Sequence, residues 1–272
     1  STDFKRISAH DEQLDVVLGG GFLPGSVILL AGQPGIGKST ILLQIAHAVS
    51  GTHNVLYVSG EESAHQVASR ANRLKTVNDK LKLASSTSAD DIAKTIVESS
   101  YDLVVVDSIQ TMTVEAISSA AGTVSQITNS TQLLTKAAKQ SNTVLVLVGH
   151  VTKEGSIAGP KVLEHSVDAV LQFEGDRYGG FKVIRSVKNR YGSTHEAAIY
   201  EMEEGGLKPV LNPSAALLAE RQVVDGSVVL ATMEGTRPIL VEIQALVNPT
   251  SYGYPKRAAS GFDLNRLNLL IA

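Results

Sequence analysis

"LLAGQPGIGKSTILLQ", residues 29–44, passes from an apolar run through three glycines to a lysine and two hydroxyls, then returns to apolar residues. Gly32, Gly37, Lys38 and Ser39 satisfy G-x-x-x-x-G-K-[ST], with a strand-like run before and a helical run after, the context in which this spacing makes a phosphate cradle. The loop of Gly32, Gln33, Pro34, Gly35, Ile36 and Gly37 is expected to turn backbone N–H groups inward around an anion. The following helix adds its positive end to the same phosphates. Lys38 is expected to reach the β- and γ-phosphates and Ser39 to hold Mg²⁺ through its hydroxyl, with Thr40 a lesser candidate. ATP and Mg²⁺ are therefore the expected cofactors. The competing reading, a flexible Gly-rich turn that binds nothing, is disfavoured because both flanks are correct.

Around this loop, short apolar runs alternate with helical patterns, the rhythm of parallel strands joined by crossover helices. Candidate strands are "VILLA" (27–31), "NVLYVS" (54–59), "LVVVD" (103–107), "VLVLVG" (144–149) and "AVLQFE" (169–174). Their nearly continuous apolar character predicts a sheet covered on both faces. Ala64, Val67, Ala68, Ala71 and Leu74 recur at helical spacing, as do Leu133, Leu134 and Ala137. Beyond residue 175 the pattern changes to strand pairs around Tyr178-Gly179-Gly180 and Gly205-Gly206, which predicts antiparallel hairpins extending the sheet. A Pro-capped helical segment (211–222) and a further strand pair around Gly235-Thr236 follow. The expected fold is α/β, a mostly parallel sheet flanked by helices with C-terminal antiparallel hairpins, and a soft boundary near Glu220 divides residues 1–220 from 221–272.

The 272 residues are 43% hydrophobic and 19% charged with a formal net charge of −3, so a substantial core is available and any contact with nucleic acid must come from local patches. The chain has no cysteine, which excludes disulfides and zinc-thiolate sites within these residues and favours a cytoplasmic setting. No apolar run is long enough to span a bilayer, and the ends of the sequence suggest a piece of a longer parent.

A phosphate loop needs a second metal-side group, and "YDLVVVDS" delivers Asp107 at the carboxyl end of its strand, the edge where open parallel sheets bind ligands. "YVSGEES" brings Glu61 and Glu62 to the same edge, where a carboxylate can orient and deprotonate water attacking a γ-phosphate. One of the two is expected to be the base and the other a salt-bridge or solvent residue, with Glu61 preferred.

"GQPGIGKST", "YVSGEES", "VVDSIQT", "VGHVTKEGSIAGPKVLEH" and "KNRYG", in this order, resemble the bacterial RadA (Sms) family of RecA-like recombination ATPases over essentially the whole chain. The resemblance implies a RecA-like core followed by the start of a Lon-protease-like domain, the family's four-cysteine zinc finger being absent here. It implies a hexameric, DNA-dependent motor that drives branch migration, with a RecA recombinase as a candidate partner. Lys38, Ser39 and Asp107 match the family's nucleotide and Mg²⁺ residues, and Glu61 its catalytic glutamate. His150, at the tip of "VLVLVGH", matches the γ-phosphate sensor position, although a lone strand-end histidine is more often a structural hydrogen-bonder. Lys188, Asn189 and Arg190 match the KNRFG pentapeptide, Tyr191 replacing its Phe. Lys188 and Arg190 would supply positive charge to the transition state, as an arginine finger does; by composition alone they read as a solvated basic hairpin.

Residues 111–126 and 152–165 both follow strand ends where RecA-like rings place DNA-binding loops, and the second carries Lys153 and Lys161. These lysines are the preferred phosphate contacts. Two other classes compete: a KaiC-like signalling ATPase acting on protein partners, which DNA-stimulated hydrolysis would separate, and an ATP-dependent peptidase, for which no complete Ser-Lys dyad is found in 221–272.

Overall fold

The computed structural model describes residues 5–151, 162–175, 180–251 and 253–272. From the N-terminus the elements are α1 (Glu12–Val17), β1 (Val27–Gly32), α2 (Lys38–Ser50), β2 (Val55–Ser59), α3 (Ala64–Arg73), β3 (Leu81–Ser85), α4 (Ala89–Glu98) and β4 (Leu103–Asp107). After a short 3-10 turn (Ile109–Thr111) come α5 (Val124–Ser141), β5 (Val144–His150), α6 (Val162–Ser166), β6 (Ala169–Gly175), β7 (Phe181–Asn189), β8 (Ala197–Glu203) and β9 (Gly206–Pro209). The chain closes with α7 (Pro213–Leu218), β10 (Ser227–Glu234), β11 (Arg237–Gln244) and α8 (Leu264–Ile271). Among these residues no helix is long and apolar enough to cross a membrane.

A nine-stranded sheet has the order β3-β2-β4-β5-β1-β6-β7-β8-β9. The first six of these strands run parallel and the last three pair antiparallel. Every residue of β1, β2 and β4 is buried, because side chains that alternate across a doubly covered strand all meet helices. In β1, Ile28 and Leu30 pack with Leu42, Leu43 and Tyr57 on one face. Val27, Leu29 and Ala31 pack with Ile92, Ile127 and Leu134 on the other.

The five strands read from the sequence are all present. β3 is not legible there, because it is an edge strand whose residues are mostly half-buried or exposed, so its sequence lacks the apolar run of the central strands. Tyr178 and Gly179, expected in the turn between β6 and β7, lie outside the described residues, but the two strands do pair antiparallel. The Gly205 turn joins β8 to β9 as expected, and the Gly235-Thr236 turn joins β10 to β11. That last pair does not extend the main sheet but forms a separate two-stranded sheet, docked on β7 and β8 through Ile239 and Val241 against Phe181 and Ile199.

Candidate nucleotide site

β1 ends at Gly32 and α2 begins at Lys38, so the phosphate loop lies at the carboxyl edge of the parallel sheet. Gly37, with φ +117°, occupies the left-handed region at the helix N-cap, a conformation that a side chain would strain. Lys38 is only 4% exposed, and its ammonium donates to the carbonyls of Gly32 at 2.7 Å and Gln33 at 2.8 Å. Burial pulls its pKa down to about 8, against the opposing pull of the Asp107 and Glu61 carboxylates.

Ser39 Oγ donates to Asp107 Oδ2 at 2.5 Å, and the Tyr57 hydroxyl donates to the same oxygen at 2.5 Å. Burial first, then the adjacent Asp107, holds the Tyr57 hydroxyl well above its usual pKa, so it remains a donor. No local pattern singles out Tyr57. Its alternation with Val55 and Ser59 in β2 reads as core, and only the register that sets Ser59 opposite Asp107 reveals the contact.

Glu61 follows Gly60 at the end of β2. A Cβ at Gly60 would lie 2.1 Å from Thr111 Oγ1 and 2.7 Å from Met112 Cε, so glycine is what lets this strand end approach the turn after β4. The Glu61 carboxylate accepts from Ser108 Oγ at 2.9 Å and meets His150 Nε2 at 2.8 Å. Burial pushes its pKa up, but the hydrogen bonds from His150 and Ser108 and the charge of Lys38 outweigh that and leave it lowered. Glu61, Asp107, Ser39, Lys38 and His150 thus share one edge of the sheet. Glu62 instead pairs with Arg70 of α3. Ser108 is absent from the sequence-derived site; its only signal there is that it follows Asp107 directly.

Lys188 and Arg190 lie elsewhere. Lys188 is level with Val170, and Val170 with Leu29. The backbone of Arg190 bonds to Asp168, which in turn bonds to Val27. With Gly32 at the far end of β1 and a rise of about 3.3 Å per residue, the pentapeptide lies roughly 10–17 Å along the sheet from its own phosphate loop. Lys188 Nζ donates to the carbonyls of Glu164 at 2.5 Å and Val167 at 2.8 Å. Arg190 donates to Asp168 Oδ1 at 3.1 Å and to the His165 carbonyl at 3.2 Å. Asp168, also bonded by Lys139 at 2.8 Å and by the backbone N–H of Val27 at 2.8 Å, is the buried hub of this region, a role that no motif in the sequence signals. Arg6 closes it from outside, donating to the Tyr191 carbonyl at 3.1 Å.

Lys153 and Lys161 lie outside the described residues. Of the two candidate DNA loops, 111–126 is tied down by buried Gln126, which accepts from Val114 N–H at 2.8 Å and donates to the carbonyls of Ile117 at 2.9 Å and Ser119 at 2.8 Å.

The sequence matches the AAA domain family over residues 1–156. The chain belongs to the AAA domain family. It is 53% identical to the DNA repair protein RadA of Bacillus subtilis over 269 residues, 98% of this chain and 59% of that protein. It is 48% identical to RadA of Streptococcus pneumoniae over 273 residues, 100% of this chain and 65% of that protein. The RadA resemblance read from the motifs therefore holds along nearly the whole chain, which spans about three fifths of the length of these curated relatives. Among solved structures, the RadB recombinase superimposes with a TM-score of 0.57 at 22% identity, covering 75% of this chain and 99% of that one. The flagellar accessory protein FlaH of Methanocaldococcus jannaschii gives a TM-score of 0.59 at 16% identity over 77% of this chain and 100% of its own. The fold is that of a RecA-like P-loop ATPase.

Proposed function

We propose that this chain is the ATP-hydrolysing core of a DNA-dependent, helicase-like motor that acts in homologous recombination and DNA repair by promoting branch migration. The observation that carries the catalytic part is the convergence of Lys38, Ser39, Asp107 and Glu61 on one sheet edge. The recombination part rests on the similarity to RadA proteins. A hydroxyl and a carboxylate already within hydrogen-bond distance are the hard oxygen donors that Mg²⁺ takes. When bound, Mg²⁺ would neutralise charge developing on the phosphates. Lys38 would exchange its two carbonyl contacts for phosphate oxygens, while Glu61, held by Ser108 and His150, would orient the attacking water and accept its proton. His150 would register the change at Glu61 and pass it to the segment that follows β5, where Lys153 and Lys161 would contact DNA phosphates without reading sequence.

Lys188 and Arg190, lying far along the sheet from their own loop, are proposed to serve the ATP of a neighbouring protomer in a homo-oligomeric, hexameric ring, with a RecA recombinase as a further partner. Residues 1–220 are proposed as the ATPase domain and 221–272 as the start of a Lon-like domain, a division supported by the separate β10–β11 sheet. The deciding experiment is the ATPase rate with and without single-stranded DNA, with the assembly state measured in parallel. Stimulation by DNA in an assembled ring is the expected result, and equal rates in that ring would overturn the DNA-dependent reading.

A further inference from the structure

The metal-side carboxylate of Asp107 is held by two hydroxyls, and only one of them belongs to the phosphate loop. Ser39 reaches it from α2, whereas Tyr57 reaches it from within the sheet, from the strand next to β4. Tyr57 is fully buried among core residues, so its ring is fixed by packing and its hydroxyl is aimed rather than free to search. A carboxylate only accepts hydrogen bonds, so in both contacts the hydrogen lies on the hydroxyl. Both bonds end on Oδ2, and the second therefore limits rotation of the carboxylate about its Cβ–Cγ bond. An outer partner of this kind fixes the orientation of a metal ligand.

We infer that Tyr57 is a positioning residue for divalent metal: its hydroxyl fixes the Asp107 carboxylate in the orientation that it presents to the ion beside Ser39. The inference rests on the ATPase reading. Tyr57 touches neither nucleotide nor water in this role and acts only through Asp107. A buried tyrosine that merely fills the core would need its ring and not its hydroxyl, so the two roles separate at a single atom.

The test is Tyr57→Phe, which keeps the ring and removes the oxygen. Binding of a fluorescent ADP analogue is titrated first without metal and then at rising Mg²⁺, and Mn²⁺ binding to the nucleotide complex is followed by electron paramagnetic resonance. Metal-free nucleotide affinity should match the parent, while the half-saturating Mg²⁺ and Mn²⁺ concentrations should rise about 10-fold or more, the range seen when outer-shell partners are lost. Unchanged metal dependence in the variant overturns the inference. Should Tyr57→Phe fail to fold, 4-fluorophenylalanine introduced at position 57 alone fills the space of the hydroxyl without donating, and the same rise in half-saturating Mg²⁺ and Mn²⁺ is expected; unchanged metal dependence overturns the inference equally. If the unaltered protein binds no nucleotide under any metal condition, it is the ATPase reading that fails, an outcome distinct from a parent and variant that bind alike.

Discussion

Buried, and bonded among the described residues to the Gly32 and Gln33 carbonyls, Lys38 carries a pKa drawn down to about 8. Phosphate binding favours the charged form and raises that pKa again. Below about pH 8 the lysine is charged in both free and bound protein, and affinity should not vary through this group. Above it the free protein has given up the proton that the complex keeps, so nucleotide affinity should fall with rising pH, by up to about tenfold per unit. Isothermal titration across pH 6.5–9.5 checks this, and Lys38→Ala should remove the slope along with most of the binding while the circular dichroism spectrum stays unchanged. Glu61 and Glu62 are separated by their partners. Glu61→Gln should bind ATP and Mg²⁺ but turn over about 10²-fold or more slowly, the contribution of a general base. Glu62→Gln, which breaks only the pair with Arg70, should be affected much less. Single-turnover hydrolysis of both variants decides the assignment, and the reversed order would move the base to Glu62.

At the level of elements, the strand ends do the positioning. β2 can end against the turn after β4 only because residue 60 has no side chain, so Gly60→Ala, whose Cβ would meet Thr111 and Met112, should cost about 1–3 kcal/mol of overpacking. Chemical denaturation measures it, and displacement of Glu61 should lower turnover in the same protein. The register of β7 against β6 carries the second consequence. Because it sets the pentapeptide at the opposite end of the sheet from the phosphate loop, Arg190→Ala should bind ATP nearly normally and hydrolyse it poorly; an arginine finger supplied by a neighbour is worth about 10³ or more. Mixing it with Lys38→Ala should restore activity, since an intact pocket then meets an intact finger at some interfaces. If subunits exchange and activity stays absent even where dilution with unaltered protein shows that rings tolerate defective members, the finger acts within its own chain.

At the scale of the whole molecule, the C-terminal hairpin and the proposed DNA contacts are tested against the core. The β10–β11 pair is joined to the main sheet by Ile239 and Val241 on Phe181 and Ile199, and by the Arg185–Glu234 ion pair. Ile239→Ala should cost about 2–5 kcal/mol if that apolar packing unfolds with the core, and a single thermal transition shifted downward, instead of a separate early one, would show that the two sheets melt together. Replacing Lys153 and Lys161 with Ala should weaken DNA binding on all sequences alike and flatten its salt dependence by about one unit of slope for each phosphate no longer neutralised. An unaltered slope would move the DNA-binding site elsewhere.

The spacing Gly32 to Ser39, the apolar strands and the acidic strand ends are legible in order because each is a local pattern: glycine freedom, period-two burial and a carboxylate where an apolar run stops. From these the sequence alone determined the fold class and named a candidate phosphate loop and a candidate metal-side carboxylate. Local pattern is silent where the reason for a residue lies across the sheet. Tyr57 reads as one more core side chain until β2 pairs with β4 and sets its hydroxyl on Asp107. Asp168 reads as a loop acid until Lys139, Val27 and Arg190 gather on it from three distant segments. The division of Glu61 from Glu62 likewise depends on Ser108, His150 and Arg70. Tertiary structure decided these because strand order and register, which place residues far apart in the chain within a hydrogen bond of one another, are set by the packing of both sheet faces at once.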